Sequence, residues 1–436
     1  MTLSRTARWT TGWLFAAAWA LSFPLFSTLG PHRLWGWCAA AGYLGAAAAS
    51  ALGRRRTALA AALLGAVAVP LLWLVLTGQG QSEVAVIERS GRLLLESGRV
   101  YVDGPAHVGE YTPYLPGMAL LGVPRALLGG DGSGDGWAVR LLGDARIWCA
   151  AALFGCLWAG RRLLTGGPGR GPVGEPFGGS FGELFGGSGR GLLPVLVASP
   201  VVALPLAVSG VDLPLAGLCC LALAAAASGR PALAGAALAG ACALKWTALP
   251  AVAVAVALLA VCRGGRPAVR CALVAAGGTT LLVLPGALLQ PVELWRQVFA
   301  FPTGRAAVPT PASSPLPGHL LAELGPWGWY LTVGLLVVAG LAVALSLFAR
   351  PPRTVVAAAD RLALGLTLAF LLAPAGRFGY LALPVLLAVW ARSVTVPGVS
   401  RVVAGSSRVG PPVGPPGGRQ GGRPQARNER SGGHFA

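Results

Sequence analysis

Long apolar runs separated by short polar breaks occupy most of the chain. A helix needs about 20 residues to cross the hydrocarbon of a bilayer, and somewhat fewer where long polar side chains reach back to its surface. On this scale the apolar runs predict twelve membrane spans. The predicted spans are 12–28, 34–52, 57–77, 144–160, 191–208, 212–228, 231–246, 248–262, 271–288, 326–348, 355–372 and 378–394.

Arginines cluster at alternate breaks between these runs, for example at 54–56, 161–162 and 263–270, and again in the tail. Because basic residues favour the cytoplasmic ends of spans, this pattern predicts that both termini are cytoplasmic. Five segments then lie on the outer face. They are the stretch 78–143, the turn at Asp212, the turn KWTALP, the loop 289–325 and the turn APAGRFGY.

The largest outer segment, 78–143, overlaps a charged island, residues 81–146, in an otherwise apolar chain. It holds eight of the fifteen acidic residues, namely Glu83, Glu88, Glu96, Asp103, Glu110, Asp131, Asp135 and Asp144. Its first part, 83–99, predicts an interfacial helix interrupted near Gly91. On this helix Glu88, Arg92 and Glu96 follow one another at the four-residue spacing of ion pairs, and Arg99 follows three residues later. The pattern predicts a solvated face whose charges pair with each other.

The middle of the island, 115–128, is apolar but contains Pro116, Pro124 and Arg125. A crossing there would invert the charge assignment of every later loop. We therefore predict a helix that lies on the outer interface or dips into it.

Composition supports an all-α polytopic membrane protein. The 436 residues are 55% hydrophobic and 11% charged, with a mean hydropathy of +0.66, which is more apolar surface than one soluble domain can bury. The net charge of +19 comes from arginines between apolar runs and in the tail, so it does not indicate nucleic-acid binding. All eight cysteines lie within or beside apolar runs, as core residues do. The many Ala, Gly, Arg and Pro residues are typical of a high-G+C bacterial genome and predict a plasma-membrane location.

Two segments predict flexible chain. Residues 165–190 form a Gly-rich cytoplasmic linker, and 395–436 form a basic, disordered cytoplasmic tail rich in Pro, Gly and Arg. The predicted transmembrane domain is therefore 1–394. No strand is predicted before the FGG repeats and no Gly-Lys-Ser/Thr follows them, so the pattern does not indicate a phosphate-binding loop.

Glu83, unlike Glu88 and Glu96 on the same predicted helix, has no basic partner at helical spacing. It follows the third predicted span directly, so it lies at the membrane surface, where an ionisable group is costly and indicates function. The alternative is a carboxylate that only complements the dipole at a helix N-terminus. The residues alone leave both interpretations open.

Three further ionisable residues occupy outer turns between predicted spans. The apolar run 231–262 is too long for one span, so it predicts two helices that meet near Lys245, the only lysine. Lys245 is either a snorkelling side chain or a fixed cation that receives a phosphate. Asp212 is a lone carboxylate that pairs with Lys245 or binds a metal. Arg377 suits bidentate phosphate recognition.

The loop 289–325 contains Arg305 and His319 within a proline-rich, extended run. Such a loop either closes over a substrate or only covers helix ends. A structural role is the favoured interpretation for His319.

The chain resembles actinobacterial members of glycosyltransferase family 87, integral-membrane enzymes of the GT-C superfamily. The resemblance spans about 80–394 and rests on an ordered series of motifs. These are SEVAVIERSGRLLLESGRVYV, YTPYLPGMALLGVPRALLG, LLGDARIW, SGVDLP, the partial match around ALKWTALP, SSPLPGHLLAELGP and LAPAGRFGYLALP. The family pattern has an acidic residue, usually Asp, just after a span, where this chain has Glu83. It also has a second acidic residue beside the position of Asp212.

The resemblance implies transfer of a sugar, such as mannose, from a polyprenyl-phosphate donor to a lipid or cell-envelope glycan on the outer face, with inversion. Glu83 would be the base that takes the proton of the acceptor hydroxyl. Lys245 and Arg377, with Arg305, would stabilise the leaving phosphate. No cofactor is predicted, and the few outer acidic residues give little support for a divalent metal. Further candidate site residues are Asp212, Tyr101, Tyr111, Tyr114 and His319.

Two other hypotheses remain. A transporter or lipid flippase would show paired broken helices in two repeats, and the island and KWTALP each occur once. A catalytically degenerate scaffold is consistent with glutamate at 83 and with the single acidic residue in SGVDLP.

Overall fold

The computed structural model describes residues 4–129, 136–165 and 192–394. Within these ranges the chain is helical and has no β-strand, apart from one isolated parallel bridge between Ser313 and Gly376. The prediction of an all-α fold is confirmed. The predicted Gly-rich linker, apart from Thr165, and the predicted tail lie outside the described residues.

The first half of the described chain forms nine helices. They are α1 (Arg5–Phe26), α2 (Gly30–Ala51), α3 (Arg55–Leu76), α4 (Ser82–Ser97), α5 (Val123–Leu128), α6 (Trp137–Gly143), α7 (Ala145–Thr165), α8 (Leu192–Ala198) and α9 (Pro200–Val208). The second half of the described chain forms nine more. They are α10 (Leu213–Ala227), α11 (Pro231–Leu244), α12 (Leu249–Arg263), α13 (Gly265–Leu289), α14 (Pro291–Leu294), α15 (Pro317–Ala322), α16 (Pro326–Ala349), α17 (Val355–Leu372) and α18 (Ala382–Val394).

Each predicted span coincides with one helix, or in one case with the pair α8 and α9, which is broken before Pro200. Six helical segments among the described residues are long and apolar enough to cross a membrane: α3, α7, Trp246–Arg263, α13, α16 and α17. The number of twelve spans therefore stays a prediction. The predicted division of the run 231–262 is confirmed, because α11 ends at Leu244 and α12 begins at Leu249.

Helices α10 and α11 form the centre of the larger core, where α10 packs between α7 and α11. By contrast, α13 and α16 expose most of their apolar side chains. Leu281, Leu288 and Phe348 are 74%, 71% and 86% exposed. Apolar faces of this extent are suited to contact with lipid.

Helix α4 runs without a break through Gly91, so the predicted interruption there is wrong. Gly91 instead lies against Gly122, where a Cβ atom would come within 2.3 Å of the Gly122 carbonyl carbon. A glycine in the middle of this helix therefore allows another segment of backbone to pack directly on α4.

The stretch 115–128 does not form the single interfacial helix that the sequence predicts. It forms a 3₁₀ turn, Pro116–Leu121, followed by the six-residue α5. Residues 116–119 are buried, and Leu115 N–H donates to the Leu244 carbonyl at 3.0 Å. The prolines limit both elements to a few residues, so the first part is inserted against the end of α11 and does not lie on lipid.

Candidate active site

Glu83 lies in the first turn of α4 and forms an ion pair with Arg377. The two side chains come from positions 294 residues apart and are only 15% and 29% exposed. Burial alone would lower the pKa of Arg377, but the Glu83 carboxylate raises it above its ordinary value. The helix N-terminus further favours a negative charge at Glu83. Arg377 is therefore held in its charged form.

The proline-rich loop fixes the backbone beside Arg377. Gly376 N–H donates to the Ala312 carbonyl at 2.9 Å, and Ser314 N–H donates to the Gly376 carbonyl at 3.0 Å. Phe378 N–H also donates to Ser314 Oγ at 3.3 Å. These bonds set the position of the turn from which the Arg377 side chain reaches Glu83.

Lys245 and Asp212 form a second ion pair, with Nζ and Oδ1 2.9 Å apart. Lys245 caps the C-terminal end of α11 in an extended conformation, and Asp212 precedes α10. Gly210, two residues before Asp212, has a φ of +71°, which a side chain would disfavour. The pairing predicted for Asp212 and Lys245 is present.

Two tyrosine rings enclose the Lys245 ammonium. Its Nζ atom lies 4.7 Å from the ring centroid of Tyr380 and 5.8 Å from that of Tyr114. Burial would lower the pKa of Lys245, but Asp212 and Tyr380 raise it. The cation is therefore stable without bulk water around it.

Tyr114 connects the two ion pairs. Its side chain is buried, and burial is the largest cause of the raised pKa of its hydroxyl. The negative charges of Glu83 and Asp212 raise this pKa further. Arg377 acts on the same hydroxyl in the opposite direction. Glu83, Asp212 and Arg377 thus act electrostatically on the Tyr114 hydroxyl, and Lys245 lies over the Tyr114 ring. We call these four residues the four-charge cluster.

Backbone contacts explain why these distant segments meet. Gln81 N–H, just before α4, donates to the Val208 carbonyl at the end of α9 at 2.9 Å. This bond brings the start of α4 close to the Asp212 turn. The bond from Leu115 to Leu244 in turn brings Tyr114 beside Lys245.

One oxygen of Glu83 is without a partner among the described residues. Oε1 accepts from Arg377, whereas Oε2 is buried and has no hydrogen-bond partner within the described parts of the chain. A hydroxyl group of a substrate would satisfy this oxygen. The arrangement can thus accept a proton at Glu83 and hold negative charge near Lys245 and Arg377.

His32, at the start of α2, is a site residue that the sequence analysis missed. The charges of Glu83 and Arg377 both act on its ring. Its Nε2 lies 3.4 Å from Gln81 Nε2, and its ring stacks on Phe23 with centroids 5.8 Å apart. A lone histidine at the end of a predicted span was the available signal.

Tyr101 and Tyr111 support the site from the buried segment that precedes Tyr114. The Tyr101 hydroxyl donates to the Tyr114 carbonyl at 3.0 Å, and the Tyr111 ring stacks on Phe301 at 4.3 Å. The Oε1 atom of Gln290 accepts from Tyr101 N–H at 3.1 Å. These contacts hold the segment that leads to Tyr114 in place.

Arg305 and His319 have contacts outside the four-charge cluster. The Arg305 guanidinium lies 4.2 Å from the centroid of the Trp329 ring. His319 Nδ1–H donates to the Pro374 carbonyl at 3.1 Å, in the segment just before Arg377. The structure therefore places His319 as a support of the Arg377 turn, and it places Arg305 on an aromatic ring.

The prediction that Glu88 belongs to a solvated, self-paired face is wrong. Its Oε1 atom accepts from Ala145 N–H at 3.1 Å. Arg99, at the end of the same helix, pairs with Asp103. Helical spacing could not show that the start of α7 covers Glu88, because Ala145 lies 57 residues after Glu88 in the sequence.

Comparison with known proteins gives one match. The family model described as glycosyltransferase family 87 matches residues 111–374. No curated protein and no solved structure matches the chain. The matched range includes Asp212 and Lys245, while Arg377 lies three residues after it and Glu83 lies 28 residues before it. Because the match covers more than half of the 436 residues, the chain belongs to glycosyltransferase family 87.

Proposed function

We propose that the protein transfers a sugar from a polyprenyl-phosphate donor to a lipid or cell-envelope glycan acceptor, with inversion, at the outer face of a bacterial plasma membrane. The observation that carries this proposal is the four-charge cluster, in which Glu83 has one buried oxygen without a partner among the described residues and pairs with Arg377 through the other, while a second cation, Lys245, lies over the Tyr114 ring. Membership of a glycosyltransferase family supports the reaction class. The mannose and polyprenyl-phosphate assignments rest on the sequence resemblance.

Glu83 acts as the general base in this proposal. Its open Oε2 accepts the hydrogen of the acceptor hydroxyl and takes the proton as the oxygen attacks the anomeric carbon. Arg377 holds Oε1 and so fixes the direction in which Oε2 points. An ionised carboxylate is required for this role, and the Arg377 guanidinium is its ion-pair partner.

Lys245 and Arg377 stabilise the phosphate that leaves as the bond to the sugar breaks. Lys245 and Arg377 each donate one N–H group to a carboxylate. Each side chain has further N–H donors for phosphate oxygens. The rings of Tyr380 and Tyr114 keep the Lys245 ammonium away from bulk water, where its attraction for phosphate would be weaker.

The proposal is tested by transfer of labelled sugar from polyprenyl-phosphate-mannose to a membrane lipid extract. We expect Glu83→Gln to lower the rate by about 100-fold or more, because it removes a general base. Glu83→Asp keeps the carboxylate of the family pattern and is expected to retain transfer. Glu96→Gln, at an exposed position of α4, is the matched control and should behave as wild type.

The two outcomes that contradict the proposal are different. Equal transfer by wild type and by a folded Glu83→Gln variant would show that Glu83 is not the base. No transfer by wild type from any polyprenyl-phosphate sugar, while nucleotide sugars serve as donors, would exclude the donor class.

A further inference from the structure

His32 is a buried histidine at the start of α2, and one of its ring nitrogens is unused. The residue is 9% exposed, and its Nδ1 atom is buried without a hydrogen-bond partner among the residues that the structure describes. A buried polar atom costs free energy unless another group satisfies it. The unused nitrogen therefore points to a ligand.

Neighbouring segments fix the ring of His32. It stacks on Phe23 of α1, with the ring centroids 5.8 Å apart and the two planes 12° from parallel. Gly36, one turn further along α2, lies against Pro24 of α1. A Cβ atom on Gly36 would come within 2.4 Å of the Pro24 Cδ atom. Because α1 and α2 pack this closely beside it, the ring has little freedom to turn.

The other ring nitrogen decides where the proton of the imidazole lies. His32 Nε2 is 3.4 Å from Gln81 Nε2, which is an amide nitrogen and acts only as a donor. In this contact His32 Nε2 accepts, so the proton of the neutral ring lies on Nδ1. Burial lowers the pKa of His32 more than the Glu83 carboxylate raises it, and Arg377 lowers it further. The neutral ring is thus favoured, and Nδ1–H is a buried donor that lacks an acceptor.

This donor belongs to the Glu83 side of the four-charge cluster. Gln81, which contacts the ring, comes two residues before Glu83. The charge of Glu83 also acts on the His32 ring more strongly than the charge of Arg377 does. Oε2 of Glu83 is itself a buried acceptor that lacks a donor within the described ranges. A donor and an acceptor that both await a partner therefore belong to the same part of the site.

Adjacent hydroxyl groups of a sugar match this pair of atoms. One hydroxyl can give its hydrogen to Glu83 Oε2, and the oxygen of the next hydroxyl can accept from His32 Nδ1–H. A simple alcohol would satisfy the carboxylate and leave the buried imidazole N–H unpaired, which costs free energy. The leaving phosphate is anionic and has two cations, Lys245 and Arg377, as its partners in the proposed reaction.

We propose that His32 binds the acceptor. Its Nδ1–H donates to a hydroxyl oxygen on the carbon next to the one whose hydroxyl gives its proton to Glu83. The acceptor is then a sugar or another polyol with adjacent hydroxyl groups. This inference rests on the proposed transfer reaction, to which it adds the acceptor class and a residue that recognises it.

The test measures transfer by the full chain while the membrane lipid extract and polyprenyl-phosphate-mannose are varied separately. Asparagine carries its amide nitrogen as many bonds from the backbone as Nδ1, whereas glutamine carries it one bond further. His32→Gln should lower kcat/KM for the extract by about tenfold, the effect of one lost buried hydrogen bond. His32→Asn should retain most of the activity, and KM for the donor should stay near that of wild type in both. Arg33→Gln, at the exposed next position of α2, is the matched control.

Each other outcome overturns the inference in a different way. Both variants lose the ring that stacks on Phe23, so an equal loss in His32→Asn and His32→Gln would assign the effect to packing. A rise in KM for the donor, with KM for the extract unchanged, would place His32 on the phosphate. Wild-type kinetics in both variants would show that no substrate group uses Nδ1. The absence of transfer by wild type would overturn the proposed function itself, and this inference with it.

Discussion

Replacing Glu88 with glutamine tests whether this carboxyl is protonated in the folded protein near neutral pH. Burial raises the pKa of Glu88 from 4.5 to about 7, and Asp144 adds to the rise. The Ala145 N–H, Arg125 and Arg146 oppose it only in part. Arg140 is a further positive charge that lines the same cavity, of about 300 Å³, as Glu88. Glutamine keeps the size of the side chain but cannot ionise.

The expected effect on stability follows from the direction of this shift. The folded state holds the Glu88 proton more tightly than the unfolded chain does, so protonated Glu88 favours folding. This stabilisation is complete below about pH 4.5 and is lost as the pH rises through about 7. The two pKa values correspond to a difference of about 2 to 3 kcal/mol, the lower figure allowing for screening by water in the cavity.

The assay is equilibrium unfolding in mixed detergent micelles between about pH 5 and pH 9. Between these limits the unfolding free energy of wild type should fall by about 2 to 3 kcal/mol relative to Glu88→Gln. Glu96→Gln removes an exposed carboxylate from the same helix, and its curve should stay parallel to that of wild type. Parallel curves for wild type and Glu88→Gln, within about 0.5 kcal/mol, would refute the argument. They would mean that the arginines keep Glu88 ionised throughout.

Two further predictions concern the ring on Lys245 and the topology. Tyr380→Leu removes the ring beside Lys245 and should lower kcat/KM for the proposed transfer by about threefold to thirtyfold. Tyr380→Phe keeps the ring and should remain near wild type. An equal loss of kcat/KM in both variants would assign the effect to the hydroxyl. With Cys262, which is exposed, changed to serine, a membrane-impermeant maleimide should label Ser97→Cys in intact cells and Ser180→Cys only after lysis. Labelling of both from the same side would exclude the proposed orientation.

The sequence predicted the helices because each apolar run is itself the cause of one helix. The same holds for the junction at Lys245, since a run of 32 residues is too long for one span and a lysine is costly in lipid. Glu83 and Arg377 stood out for a similar reason, as isolated charges at the ends of spans. In each case the signal lies within the segment that carries the residue.

The contacts that the sequence did not predict join distant segments. Nothing within α4 indicates that Gly91 receives Gly122 or that the Ala145 N–H reaches Glu88. Local spacing therefore assigned Glu88 a partner on its own helix. Tyr380 was within reach of prediction, because it lies three residues after Arg377 in the same turn. Its ring nevertheless acquires a role only through Lys245, which comes from α11.

The position of α4 explains how two glutamates five residues apart acquire opposite chemistry. Glu83 lies in the first turn of the helix and accepts a bond from Arg377, a residue of a distant turn. Glu88 lies about 140° around the helix and about one turn further along, where it accepts a bond from Ala145 N–H, and Arg146 at the start of α7 pairs with Asp144. Burial then favours the neutral form. The two carboxyls of one helix thus have different partners, Arg377 at Glu83 and the first N–H of α7 at Glu88, because different segments of the chain cover the two faces of α4.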